Sequence, residues 1–76
     1  MTQVSETVSF QEISRVLEVT DRLGFNREWI EIPLGTARPG RVQRLPNGKI
    51  EIVVDADLPF EEWLAGLDSQ LKPFSG

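Results

Sequence analysis

The sequence predicts a two-layer α+β domain of order helix, strand, strand, strand, helix, with a three-stranded antiparallel sheet carrying both helices on one face. Apolar residues recur at helical spacing from Phe10 and again from Phe60. Between these stretches two alternating runs flank Pro46-Asn47-Gly48, a sequence suited to a tight hairpin. Short connections join the elements, which favours neighbouring strands and one shared core.

Residues 1–8 are small and polar without period, so a flexible N-terminus is expected ahead of a single domain over 9–74, with 75–76 as a tail. Ser9-Phe10-Gln11-Glu12 has the form of a capping box. In it the serine hydroxyl accepts from the backbone three residues on and the glutamate reaches back. The helix that follows places Phe10, Ile13, Val16, Leu17, Thr20 and Leu23 on its core face. Gly24 is placed to end it in a left-handed conformation, with Phe25 folding back on the last turn.

Trp29 to Leu34 alternates, with Ile30, Ile32 and Leu34 pointing inward and Trp29, Glu31 and Pro33 outward. Pro33 cannot donate to a ladder and favours an edge. Gly35 to Gly40 is a loop by composition. The hairpin strands run from Val42 to Leu45 and from Lys49 to Asp55. On the second, Ile50, Ile52 and Val54 face the core, while Lys49, Glu51, Val53 and Asp55 face outward. Asp57 or its neighbour is expected to cap a last helix begun by Pro59 and stopped by Pro73. Its apolar face is Phe60, Trp63, Leu64, Leu67 and Leu71.

Seventy-six residues make one small domain, which buries only roughly 60 to 65% of the surface its unfolded chain exposes. Cysteine is absent, so a reducing cytoplasm is the expected compartment. The N-terminus lacks a secretory pattern, and no apolar run is long enough to span a membrane. Net charge is −4, made of −2 over residues 1–26, +3 over 27–49 and −5 over 50–76. That balance disfavours nucleic acid and membrane surfaces as partners.

Histidine is absent too, which removes most nucleophile–base pairs and the usual zinc sites. No enzyme, cofactor or metal is expected. Asp55, Asp57, Glu61 and Glu62 form the densest carboxylate set, and capping and dipole roles account for them. Two surfaces remain. Trp29, Pro33 and Val53 share the outward side of the sheet and form a candidate interaction surface. Arg38, Arg41, Arg44 and Lys49 surround the hairpin as a candidate anion site, but no aromatic lies between Gly35 and Lys49 to stack a base.

From Gly48 onward the chain resembles the segment leading into the active-site helix of ImmA/IrrE-type metallopeptidases. The likeness rests on Gly48-Lys49-Ile50-Glu51-Ile52-Val53-Val54, on Asp57-Leu58-Pro59-Phe60 and on the helix to Leu71. That family carries a His-Glu-x-x-His zinc motif on this helix, where Ser69-Gln70-Leu71-Lys72-Pro73 stands here. The resemblance, confined to residues 48–72, implies a truncated, metal-free relative that keeps a scaffold, and it transfers no zinc ligand or peptidase residue. The expected function is a non-enzymatic module that binds another protein or itself.

Overall fold

The computed structural model of the chain describes residues 7–74. Helix α1 spans Phe10–Arg22, and the strands are β1 (Ile30–Glu31), β2 (Arg41–Arg44) and β3 (Ile50–Val53). Helices α2 (Phe60–Ala65) and α3 (Leu67–Leu71) follow. The α+β class is as expected, and among the described residues no helix is long and apolar enough to cross a membrane.

The sheet is mixed, not antiparallel. Its order is β1-β3-β2, with β1 parallel to β3 and β2 antiparallel to it. The segment between β1 and β2 was expected to turn the chain back beside its neighbour. Instead it runs on along β3, where Ala37 makes a parallel bridge to Asp55, and residues 38–40 then cross the end of β3 to its other side. The pattern of β3 explains why it is central. It is paired on both edges, and Ile50, Ile52, Val53 and Val54 are all buried, while Glu51 and Asp55 are only half-buried. Val53 therefore belongs to the interior at 4% exposure, and the outward face predicted for it is corrected.

Helix α1 forms as its sequence dictates. Ser9 Oγ accepts from the Glu12 amide at 3.1 Å, and the Glu12 carboxylate accepts from the Ser9 amide at 2.9 Å. At the other end Phe25 donates to the Thr20 carbonyl at 2.9 Å and Gly24 to that of Asp21 at 3.0 Å. With Gly24 at φ 91°, this is the paired closure that satisfies the last free carbonyls. The core face differs in two respects, the burial of Val19 and the exposure of Phe10. Val16, Val19 and Thr20 are buried, whereas Phe10 is 82% exposed. Helical side chains lean toward the N-terminus, and Phe10 is the first residue of α1, so no preceding turn lies beneath its ring.

Three further expectations are corrected. Thr7 bridges Gly35 and Val8 donates to the Leu34 carbonyl at 2.7 Å; Val8 is buried in the core, so only residues 1–6 of the segment expected to be flexible lie outside the described residues, as do 75–76. The strand expected over Trp29–Leu34 shrinks to two residues, and Leu34 is 56% exposed. The last helix starts later and breaks at Gly66. Its N-cap is Pro59 without a side-chain cap: the Asp57 carboxylate accepts from Arg38 at 3.1 Å, and Asp55 accepts from the Asp57 amide at 2.6 Å in a local turn ahead of the helix.

One core joins these parts. Val8, Val16 and Val19 meet Ile50, Ile52 and Val54 of the sheet region and Trp63, Leu64, Leu67 and Leu71 of the last two helices. No buried side-chain polar atom among the described residues lacks a partner.

Candidate interaction surface

At one end of the molecule the closure of α1, the hairpin turn and the C-terminal turn converge. Asn26 starts a single 3₁₀ turn, Arg27–Trp29, by accepting from the Glu28 amide at 2.9 Å. Arg27 clamps this turn to α1 through Asp21, with its Nη2 2.7 Å from Oδ2 and its Nε 3.2 Å from both carboxylate oxygens. Those hydrogen bonds hold the Asp21 carboxyl below its ordinary value, with desolvation opposing and the Arg27 charge assisting. Trp29 is thereby fixed at a surface position where it keeps 50% exposure.

The hairpin supplies the facing wall. Leu45 donates to the Lys49 carbonyl at 2.7 Å and Gly48 to that of Leu45 at 2.9 Å, with Gly48 at φ 90°, the bulged turn expected of Pro46-Asn47-Gly48. Trp29 packs over it: its Cζ3 lies 3.4 Å from where a β-carbon on Gly48 would stand. Arg44, opposite Ile50 in the register, donates to the Gly48 carbonyl at 3.2 Å and sits 5.7 Å from the Phe74 ring centroid. Gly24, Phe25, Asn26, Trp29, Arg44, Gly48, Ile50 and Phe74 line an open groove of about 380 Å³. Apolar walls with one cation suit an apolar side chain accompanied by a carboxylate.

The predicted surface of Trp29, Pro33 and Val53 is not assembled. Trp29 lies in the 3₁₀ turn rather than on a strand face, Pro33 is half-buried and Val53 is interior. The predicted anion site is divided as well. Arg41 and Arg44 stand at opposite ends of β2, roughly 10 Å apart at strand spacing. Arg38 pairs with Asp57 at 3.1 Å, Arg41 approaches Glu51 at 3.9 Å and Lys49 approaches Glu31 at 3.9 Å. Glu51 also accepts from Gln43 Nε2 at 2.7 Å. These pairs lace the sheet face away from the helices. Asp55, Asp57, Glu61 and Glu62 are likewise dispersed: Asp57 serves Arg38, and Glu61 forms a two-pronged pair with Arg15 at 2.8 and 3.0 Å.

Two participants escaped sequence reasoning. Phe25, expected only to fold back on the last turn of α1, and Phe74 are both half-buried and line the groove. The signal was their position just beyond a helix end, where a ring covers the last turn and also meets solvent. A second concavity of about 520 Å³ lies between the starts of α1 and α2, lined in part by Phe10, Arg15, Phe60 and Glu61.

No family model matches the chain, and no curated protein or solved structure matches it.

Proposed function

We propose that this chain is a non-catalytic module of the reducing cytoplasm that binds a segment of another protein in the groove headed by Trp29. The observation that carries this reading is the placement of a half-exposed Trp29, packed over the hairpin turn, beside Arg44 in one groove. Among the described residues, Arg44 has an aromatic ring and a carbonyl as neighbours but no carboxylate. Tryptophan and arginine are the side chains most enriched where binding energy concentrates. The occupant that fits is a short stretch with a large apolar residue next to an aspartate or glutamate: the apolar group covers Trp29 and Phe25, and the carboxylate meets the Arg44 guanidinium. The absence of histidine and cysteine supports binding over catalysis. If the metallopeptidase likeness reflects ancestry, the strand-to-helix scaffold is what has been kept.

Selection of random peptides on the immobilised protein tests the reading. Enriched sequences should combine an apolar residue with a neighbouring acid, and their binding should fall at least about tenfold on Trp29→Ala or Arg44→Glu, the loss of roughly 1.4 kcal/mol or more expected at a binding hot spot. Circular dichroism would confirm that both variants fold. Peptides that bind these variants as well as the parent would reject the groove.

A further inference from the structure

We propose that the outer edge of β2 takes up an extended acidic segment of a partner protein as a fourth strand. The register shows which backbone groups that edge offers. Leu45 donates to Lys49 across the hairpin, so by the alternation of an antiparallel ladder Gln43 and Arg41 also bond inward, and Val42 and Arg44 point their N–H and C=O groups away from β3. The other side of β3 agrees independently: Val54 accepts from Ala37 and Ala56 donates to it, so the even-numbered residues of β3 face β1 and the odd-numbered ones face β2. Among the described residues nothing pairs with the outward backbone groups of Val42 and Arg44.

The charge of this edge selects its occupant. β2 itself carries Arg41 and Arg44 and no acid; Arg41 is approached by Glu51 only at 3.9 Å and Arg44 has a carbonyl and a ring as neighbours, in a molecule whose net charge is −4. A second copy pairing through its own β2 would bring further arginines onto the same edge, and like charges on paired strands repel. Arginines on an exposed edge guard it against such self-pairing, yet they favour a strand of opposite sign. Strand addition draws affinity from main-chain hydrogen bonds and specificity from alternate side chains. Carboxylates beside Arg41 and an apolar residue beside half-buried Val42 would meet both requirements. The edge touches the Trp29 groove only at Arg44, so the two sites are separable.

Amide hydrogen exchange with blocked synthetic peptides is the test, one alternating glutamate and valine and one alternating lysine and valine. With the glutamate peptide at about ten times its Kd, exchange at Val42 and Arg44 should slow about tenfold, since protection follows 1 + [L]/Kd. Gln43, already bonded inward, should change little. Arg41→Glu should weaken this protection severalfold, and Trp29→Ala should leave it intact even where groove binding is lost. Unchanged exchange at Val42 and Arg44 with millimolar peptide would overturn the proposal. So would equal protection by the lysine peptide, or protection that grows with protein concentration alone, which would mark pairing between copies.

Discussion

The Cα of Gly40 rests against the carbonyl of Val53: a methyl group added to Gly40 would stand 2.5 Å from that oxygen and 2.6 Å from the Asp55 amide nitrogen. This contact is where the chain crosses from one side of β3 to the other, so the mixed topology depends on a residue without a side chain. Both obstructing atoms are backbone, and a strand held on both sides has little room to yield.

Gly40→Ala should therefore destabilise the fold by about 3 kcal/mol, the upper part of the range for overpacked sites. Gly35→Ala, with nothing within 4 Å of the added carbon, should leave stability unchanged or raise it by up to about 1 kcal/mol through the unfolded chain. Urea unfolding of the two variants checks the contrast, and equal midpoints would mean that the crossing tolerates a side chain.

The α1 cap offers a smaller effect. Ser9→Ala removes the acceptor for the Glu12 amide and should cost about 1 kcal/mol. The loss should appear as faster amide exchange in the first turn of α1, with the last turn unaffected.

Phe10 and Leu67 should separate by burial, not by hydrophobicity. Phe10→Ser, at a residue 82% exposed, should change stability by less than about 0.5 kcal/mol. Leu67→Ala, at a fully buried residue, should cost about 2 to 5 kcal/mol. Thermal melts of the two variants would show the difference, and a large loss for Phe10→Ser would place its ring in the core after all.

The Asp21–Arg27 clamp predicts a pH dependence of definite sign. Hydrogen bonding to Arg27 lowers the Asp21 pKa in the folded state, so the folded protein holds that proton less readily than the unfolded chain. Its stabilising contribution is complete above the ordinary aspartate value of about 3.9 and is lost as pH falls through the lowered folded value. Asp21→Asn should remove this part of the acid dependence and loosen the turn that holds Trp29. Carboxyl NMR titration gives the folded pKa directly, and an Asp21 value at or above the ordinary one would contradict the clamp.

The two ends of α1 and the bulged hairpin were legible because each is a local device. Ser9 with Glu12, Gly24 with Phe25, and Pro46-Asn47-Gly48 satisfy backbone groups within a few residues, so spacing alone carries the information. The groove was legible only in fragments: Trp29 stood out as a residue, but its partners Arg44, Gly48 and Phe74 lie far along the chain. Alternation over Trp29–Leu34 suggested a strand and a shared outward face, yet only Ile30 and Glu31 pair.

What the sequence determined by itself is therefore the class of fold, the helical and extended segments, and the absence of histidine and cysteine chemistry. What tertiary structure decided is the order and direction of the strands, the burial of Val53, the exposure of Phe10 and the separation of Arg41 from Arg44. The physical reason is that periodicity reports which side of an element is apolar, while neighbours are chosen by packing over the whole chain. A central β3 paired on both edges, and a glycine small enough to let the chain cross its end, settle the topology through contacts that lie outside any single stretch of sequence.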